Sequence, residues 1–388
     1  MEKSKIELNK LFKNTFGYEP EKYFISPGRL EIIGNHTDHN HGFALVASAS
    51  LYIKCAVKKR NDGIINLNSE GNEFYGIKAQ KTAPNKAEYS TTDALIKGVV
   101  GGFVARGYNV GGFDAYCVSE VPSGGGVSSS AAFELLICAI LNGLYNEGKI
   151  NCLELAKISQ ASERDYFGKP CGVLDQIGCA YGGICIVDFN DPTDPKVQNV
   201  AFPFDLKILL TNPGGSHAGL TSYYASIPND MKKASSCLGV DYLRDSSLEE
   251  LDKYALDNPE FANSRIYKRA YHYFKENERV KNAYKAIIAK DVDAFIQNIN
   301  ESGLSSSHLL GNTVVPSRYK NSPERALKVV RKAAPNSGHR VHGGGFMGTI
   351  ISYLRPEDYQ NTVKAVRAKF GPKSAIDVSI SPFGAQEF

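Results

Sequence analysis

The chain has 388 residues, of which 42% are hydrophobic and 22% are charged, and its formal net charge is +4. This length accommodates two domains or one large domain with a full apolar core, and the composition is that of an ordinary soluble globular protein. The small positive excess is spread along the chain, which argues against a nucleic-acid-binding or membrane-surface protein.

The beginning of the chain, MEKSKIELNKLFKN, is charged and amphipathic and lacks the apolar core of a signal peptide. No segment is long and apolar enough for a predicted membrane span. The eight cysteines have no paired spacing, and Cys138, Cys179 and Cys185 lie inside apolar runs. This pattern favours buried thiols in a reducing compartment over disulfides or zinc ligands. We therefore expect a cytoplasmic protein with no membrane partner and no nucleic-acid partner.

The first part of the chain is predicted to alternate helices with strands. A strand, a turn and a second strand are expected over 22–34, where Arg29 and Glu31 share one face of the second strand because side chains alternate. Arg29 is thereby placed to point into a polar cleft. The other predicted elements are a helix over 3–16, a strand over 43–57 with a hairpin turn into 64–67, a helix over 94–106 and a strand over 112–121.

Residues 34–42 read Gly-Asn-His-Thr-Asp-His-Asn-His-Gly and contain His36, Asp38, His39 and His41. Such a cluster suggests a metal site, but its order differs from the H-x-H then D-H signature of metal-dependent lactamases, and ligands would have to converge from elsewhere. A sugar-binding turn is favoured, because short Asp, Asn and His side chains supply many hydrogen-bond donors and acceptors. A merely structural loop is the remaining alternative. The other histidines show no ligand-like pairing with a carboxylate: His217, His272, His308, His339 and His342.

A glycine loop over 121–132 precedes a long apolar helix. Gly124, Gly125 and Gly126 allow close backbone approach, and three serines follow where the first helical amides face outwards. A glycine loop at a helix N-terminus is a ready phosphate site, although a tight turn with a serine N-cap explains part of the pattern. No Gly-Lys-Ser/Thr ends this loop, and the loop itself reads Gly-Gly-Gly and not the dinucleotide fingerprint G-x-G-x-x-G. The sequence predicts a lysine-free phosphate loop in which a serine hydroxyl reaches a metal ion.

Two acidic residues follow at helix boundaries. Glu163 lies near the end of a helix that closes about residue 167, and Asp175 begins a short helix after a glycine-bearing turn. From the pattern alone, Asp175 is either a helix N-terminal charge or a carboxylate in a cleft. A composition shift at 190–196 indicates a linker and a boundary between 190 and 205. We place the domains at 1–203 and 204–388.

The second domain is predicted to be largely helical and to end in an α+β unit. After a strand over 206–211 and a loop over 212–217, helices fill 222–238, 247–256, 261–289, 291–302 and 324–333, followed by a glycine-rich turn over 342–348, a strand over 349–354, a helix over 356–369 and a strand over 376–380.

Four motifs in order resemble those of the galactokinases of the GHMP kinase superfamily (galactokinase, homoserine, mevalonate and phosphomevalonate kinases). Residues 27–39 are similar to the galactokinase signature, 121–132 to the phosphate loop, 170–176 to the catalytic segment and 342–348 to the third motif. They span almost the whole chain. The resemblance implies an α+β fold of two domains, the first like the second domain of ribosomal protein S5 and the second ferredoxin-like, with the active site between them.

The resemblance also implies roles for individual residues. Asp175 falls at the catalytic aspartate that takes or orients the proton of the sugar's C1 hydroxyl, and Arg29 at the arginine that stabilises charge on the γ-phosphate or the activated oxygen. Ser130 and Glu163 match positions that bind Mg²⁺. The sugar would be contacted at Asn35, His36, Asp38, Gly172 and Tyr224, and the ATP phosphates at Gly124, Gly125, Gly126, Val127, Ser128, Ser129 and Ser130.

The chain departs from the family where the sugar is bound. Asn35 replaces the glutamate that contacts the sugar's far hydroxyl in most members, Glu31 replaces an asparagine, His39 a tyrosine and Met347 a glycine. The expected reaction is in-line transfer from MgATP to the C1 hydroxyl of α-D-galactose. Asn35 leaves N-acetylgalactosamine, galacturonate and arabinose open as substrates, and a non-catalytic sensor of galactose and ATP is a further alternative. We expect a monomer or weak oligomer.

Overall fold

The structure is a computed structural model that describes residues 2–69, 72–122, 124–215 and 219–388. Ser123 of the predicted phosphate loop and Ser216 and His217 of the predicted loop over 212–217 lie outside the described residues. No helix in the described part of the chain is long and apolar enough to cross a membrane.

The amino-terminal half supplies the larger of two sheets and the helices that cover it. Its elements in chain order are α1 (Glu2–Phe16), β1 (Lys22–Ile33), β2 (Phe43–Arg60), β3 (Ile64–Ser69), β4 (Asn72–Lys78), α2 (Thr92–Ala105), β5 (Gly112–Ser119), α3 (Ser129–Tyr145), α4 (Cys152–Ala161), α5 (Leu174–Ala180), β6 (Ile184–Asp188) and β7 (Lys196–Val200).

The carboxy-terminal half supplies a helical layer and a second sheet. Its elements are β8 (Lys207–Thr211), α6 (Thr221–Cys237), α7 (Leu248–Asp257), α8 (Pro259–Ala262), α9 (Arg265–Ala289), α10 (Val292–Ser305), α11 (Pro323–Ala333), β9 (Gly338–Val341), β10 (Ile350–Leu354), α12 (Pro356–Phe370), β11 (Ala375–Val378) and β12 (Gln386–Glu387).

The first sheet is organised around the long strand β2. Its order is β12-β1-β2-β5-β3-β4, and the end of β2 beyond the reach of β5 pairs with β6, which pairs with β7. The helix α3 is apolar nearly all round and lies in the main core, as expected of a helix buried among others. This sheet and its helices therefore form a rigid base for the loop that precedes α3.

The second sheet has the order β11-β8-β10-β9, and every neighbouring pair is antiparallel. Strands β10 and β11 are joined by α12 and lie on either side of β8, which makes a split βαβ unit. This is the ferredoxin-like order that the resemblance predicts. The last strand, β12, pairs with β1 and so adds an edge strand to the first sheet.

Two predictions about the amino-terminal strands were wrong. Residues 22–34 form one strand with register shifts at Pro27/Arg29 and Glu31/Ile33, because bulges absorb Pro27 and Gly28 without ending the ladder. The predicted hairpin between β2 and β3 is also absent, because β5 lies between them and pairs in parallel with β3. The turn at 61–63 joins two strands that are not neighbours.

Candidate active site

Arg29 and Asp175 form an ion pair beside the glycine loop. Arg29 lies on β1 and is 6% exposed; its Nη2 is 2.7 Å and its Nε 2.8 Å from Asp175 Oδ1. Its Nη1 donates to the carbonyl of Gly126 at 2.8 Å. Asp175 lies in the first turn of α5, and its side chain remains 30% exposed. One guanidinium therefore links the strand, the short helix and the loop, and leaves a carboxylate facing solvent.

The charges around Asp175 keep it ionised. Burial raises the pKa of Asp175, but Arg29, Lys169 and a hydrogen bond from Ser128 outweigh burial and hold that pKa below its usual value. Burial likewise lowers the pKa of Arg29, whereas the carboxylates of Asp175 and Glu31 raise it above its ordinary value. The pair offers a hydrogen-bond acceptor and a fixed positive charge at one point.

The glycine loop has the geometry of an anion site. Gly124 and Gly126 have positive φ angles, which favour glycine, and a Cβ on Gly126 would lie 2.7 Å from Thr349 Oγ1, so Gly126 has no room for a side chain. Ser128 takes the left-handed conformation immediately before α3. The first amides of a long helix lack intrahelical partners and carry partial positive charge. The loop thus presents backbone N–H groups beside Arg29.

Ser130 and Glu163 meet at one end of α3. Ser130 Oγ donates to Glu163 Oε1 at 2.7 Å, Lys169 Nζ contacts the same oxygen at 2.6 Å, and Gln176 Nε2 donates to Oε2 at 2.8 Å. Glu163 is fully buried and lies in a single turn of π-helix after α4. A hydroxyl and a carboxylate are the hard oxygen donors that Mg²⁺ accepts together with phosphate oxygens and water. The donor set therefore fits that ion.

Two of the predicted sugar contacts, His36 and Tyr224, hydrogen-bond to the glycine-rich turn over 342–348. His36 Nε2 donates to the carbonyl of Gly344 at 3.0 Å, and the Tyr224 hydroxyl donates to that of Gly345 at 2.8 Å. A Cβ on Gly172 would lie 2.7 Å from Asp38 Oδ2, so Asp38 lies directly against the segment that leads to Asp175. Burial and the charge of Glu31 raise the pKa of Asp38 to about 6.

Asn35 is more enclosed than the sequence suggests. Asn35 is only 1% exposed, and its side-chain amide contacts Glu31, Gly343 and Asn312. Its backbone amide donates to Glu276 on α9. The loop over 34–38 is therefore held by the carboxy-terminal half of the chain.

The histidine cluster is not arranged as a metal site. His36 is engaged by Gly344, His39 Nδ1 accepts from Asn40 Nδ2 at 2.9 Å, and His41 stacks on Tyr242 with ring centroids 3.7 Å apart. The His36 and His39 rings are neighbours, with centroids 5.7 Å apart, but each of the three histidines has a hydrogen-bond or stacking partner of its own. Within residues 2–69, 72–122, 124–215 and 219–388, no group of three His, Cys, Asp or Glu side chains is placed to hold a metal ion.

Sequence reasoning missed several residues that hold the site together. Lys169 and Gln176 position Glu163, and Arg340 pairs with Glu31 at 3.0 Å while fully buried. The only usable signal was the lysine between Gly168 and Pro170, just before the catalytic segment. Nothing in the sequence around Arg340 indicates a partner more than three hundred residues away.

Two family models match the chain. Residues 10–59 match the galactokinase galactose-binding signature, which includes Arg29 and the loop from Asn35 to Asp38. Residues 94–183 match the GHMP kinases N terminal domain, which includes the glycine loop, Glu163 and Asp175. The two matches together include both members of the Arg29–Asp175 pair, but neither includes the glycine-rich turn over 342–348.

Relatives match over nearly the whole length. The galactokinase of Clostridium tetani is 30% identical over an alignment of 373 residues that covers 90% of this chain and 88% of that protein. The galactokinase of Glaesserella parasuis is 30% identical over 377 residues, 96% of this chain and 95% of that one.

Solved structures confirm the predicted fold class, α+β with the two-domain GHMP kinase architecture. The crystal structure of Lactococcus lactis galactokinase complexed with galactose aligns with a TM-score of 0.81 at 25% identity and covers 99% of both chains. Mevalonate kinase of Methanococcus jannaschii shares the fold, with a TM-score of 0.64 at 15% identity over 92% of this chain and 98% of that one. The identity and coverage shared with the two bacterial relatives show that this chain belongs to the galactokinase family of the GHMP kinases.

Proposed function

We propose that this protein is an ATP-dependent sugar 1-kinase that transfers the γ-phosphate of ATP to the C1 hydroxyl of α-D-galactose, giving galactose 1-phosphate. The observation that carries the proposal is the Arg29–Asp175 pair, held against the glycine loop at the N-terminus of α3. Phosphoryl transfer depends mainly on positioning and on neutralising charge, and this arrangement supplies both.

Asp175 would accept a hydrogen bond from the C1 hydroxyl and orient its oxygen toward the γ-phosphate. Its lowered pKa makes it a weak base. This is compatible with a loose transition state, in which the attacking oxygen gains little bonding before the leaving group departs and needs no strong base. We therefore propose that Asp175 mainly orients the hydroxyl and accepts its proton late.

Arg29 would stabilise the transferring phosphoryl group while it fixes Asp175. A guanidinium binds two oxygens in a fixed plane, which suits simultaneous contact with a carboxylate and a phosphate. We propose that residues 124–130 bind the phosphates of ATP through their backbone amides. The positive end of α3 adds to this attraction.

We propose that Ser130 and Glu163 hold Mg²⁺, with Lys169 and Gln176 fixing the Glu163 carboxylate. When bound, the ion neutralises charge on the β- and γ-phosphates. Lys169 lies close enough to Glu163 that the carboxylate raises the lysine's pKa against the opposing effect of burial. The lysine then compensates the carboxylate when no ion is present.

We propose that the sugar lies among His36, Asp38, Gly172 and Tyr224, and that the chain divides into domains at 1–203 and 204–388. The division is supported by the strands, since β7 ends at Val200 in the first sheet and β8 begins the second at Lys207. A monomer or weak oligomer is the working form in this proposal. The ATP that the reaction consumes supports a cytoplasmic location.

The test is an ATP-consumption assay with Mg²⁺ across galactose, N-acetylgalactosamine, galacturonate, arabinose and glucose, with the product identified by phosphorus NMR. Galactose should be preferred, and the product should be the α-anomeric 1-phosphate. Preference for another sugar would support the kinase activity but show that galactose is not the main substrate. Binding of galactose and ATP by calorimetry without turnover of any sugar would favour the sensor.

A further inference from the structure

Asn35 has no side-chain atom left for a ligand. Its Nδ2 donates to Glu31 Oε1 at 3.0 Å and to the carbonyl of Gly343 at 2.8 Å. Its Oδ1 accepts from Asn312 Nδ2 at 2.8 Å and from Ser306 Oγ at 3.3 Å. A side-chain amide offers two donors and two acceptor sites, and all four are used here. A sugar hydroxyl would have to break one of these buried bonds.

Glu31 carries the carboxylate that position 35 lacks. Relative to the family pattern, the acid and the amide have exchanged places, and the two side chains are hydrogen-bonded to each other. Glu31 Oε1 accepts from Asn35 and from Arg340 Nη2 at 3.0 Å. Among the described residues nothing donates to Glu31 Oε2, and the side chain remains 7% exposed. One carboxylate oxygen is therefore open to a donor.

Arg340 fixes the open carboxylate in place. It is fully buried, and besides Glu31 Oε1 it donates from Nη1 to the carbonyls of Glu31 and Ile32 at 3.2 Å each, and from Nε to Ser302 Oγ at 3.2 Å. A guanidinium held by four acceptors has little freedom to move. The Glu31 side chain is therefore presented by a rigid support.

Glu31 lies close to both Arg29 and Asp38 of the proposed site. It shares a face of β1 with Arg29, two residues and about 6.6 Å along the strand. Its charge also reaches Asp38, where it is the largest influence after burial in raising the pKa of that carboxyl. The Glu31 carboxylate is thus near the proposed catalytic pair through Arg29 and near the proposed sugar contacts through Asp38 and through its hydrogen bond with Asn35.

We propose that Glu31, rather than Asn35, is the specificity-determining carboxylate of the sugar site, and that its free oxygen accepts a hydrogen bond from a hydroxyl on the side of the ring away from C1. Asn35 then serves as a positioning residue for Glu31 and the glycine-rich turn. This inference rests on the proposed function. Two carboxylates, Glu31 and Asp38, accept hydrogen bonds and repel anions, so the substrate is a neutral hydroxylated sugar and galacturonate is excluded.

The experiment pairs residue changes with missing substrate hydroxyls. We would measure kcat/KM for galactose and for galactoses lacking the hydroxyl at C2, C3, C4 or C6, using wild type, Glu31→Gln and Asn35→Ala. Wild type should lose about 10- to 150-fold with one of these deoxy sugars, the effect of a hydrogen bond to a charged group. Glu31→Gln should raise KM for galactose and largely abolish that one penalty, whereas Asn35→Ala should keep it.

The controls separate a ligand contact from a structural effect. Glu31→Asp keeps the charge opposite Arg340 and should partly lose the same penalty, which keeps the test decisive if Glu31→Gln does not fold. Loss of the penalty in Asn35→Ala but not in Glu31→Gln would overturn the proposal. Wild-type preference for galacturonate would also overturn it, although the kinase would stand. If wild type phosphorylates no sugar, the proposed function fails, and calorimetric binding of the same sugars then decides the role of Glu31.

Discussion

The phosphoryl-transfer end and the sugar end of the candidate site are built differently. At the phosphoryl-transfer end Arg29 pairs with Asp175 and Ser130 with Glu163, all within the amino-terminal half of the chain. The sugar end instead depends on side chains from α9, α10 and the strand before the glycine-rich turn. The first end can therefore keep its geometry while the second changes its chemistry, and the substitutions relative to the family lie in the second.

Glu276 shows how the sugar end is anchored. This fully buried residue of α9 accepts hydrogen bonds from the backbone amides of Gly34 and Asn35 and from Ser302 Oγ. Burial raises its pKa, but Arg279, His272 and Arg340 together outweigh burial and lower the pKa to about 2. An ionised carboxylate from the carboxy-terminal half thus positions the loop that carries the sugar contacts.

The largest effect is expected at the phosphoryl-transfer end. Asp175→Asn should lower kcat by about 10³-fold, because the amide keeps the shape but neither accepts the proton nor balances Arg29. KM for ATP should change little, since the phosphates are bound by the loop. Steady-state kinetics with ATP and sugar varied in turn would measure both.

Asp165→Asn is the matched control for that change. Asp165 lies in the π-helical turn that also carries Glu163. Its carboxylate pairs with Arg164 on the exposed side and touches none of the proposed site residues. Its kcat should stay near that of wild type. Equal losses in both variants, or wild-type turnover in Asp175→Asn, would remove Asp175 from the mechanism.

The same contrast explains what the sequence predicted. The strand, glycine loop and helix around Gly126 were recognisable because each residue acts within a short segment, and Arg29 was correctly placed on a strand face pointing to polar partners. The Glu31–Arg340 pair was not predictable, because it joins residues brought together only when the two halves fold against each other. The sequence predicted two strands where the structure has one over 22–33, because Pro and Gly are typical both of a turn that ends a strand and of a bulge within it.

A smaller effect is expected at the proposed metal ligands. Glu163→Gln should weaken activation by Mg²⁺ by about 10- to 100-fold, since one charged oxygen donor is lost while Lys169 remains. Titration of Mn²⁺ with a non-hydrolysable ATP analogue, followed by electron paramagnetic resonance, would measure ion binding without turnover.

Glu154→Gln on α4 is the control for Glu163→Gln. Glu154 pairs with Arg106 away from the glycine loop, so Mn²⁺ binding should be unchanged. Unchanged binding in Glu163→Gln would exclude Glu163 as a ligand. A higher KM for the sugar in Glu163→Gln with unchanged ion binding would instead assign Glu163 to the sugar end.

The smallest effect concerns acid sensitivity at the sugar end. Burial and the charge of Glu31 raise the pKa of Asp38 to about 6, whereas the pKa values of His36, His39 and His272 are lowered, the last two to about 3 and 4. Asp38 therefore titrates near pH 6, well above His39 and His272. Its carboxylate should accept sugar hydroxyls above pH 6 and lose that capacity when protonated.

KM for galactose should accordingly rise about tenfold for each pH unit below 6. Folding stability should change in the opposite direction. Because the pKa of Asp38 is higher in the folded than in the unfolded chain, this group increases the free energy of unfolding as pH falls from above 6 towards 4. Asp38→Asn should raise KM and remove its pH dependence, and Glu31→Gln should move the midpoint to lower pH because the neighbouring negative charge is gone. A midpoint that stays at pH 6 in Glu31→Gln would mean that the two carboxylates do not share the pocket.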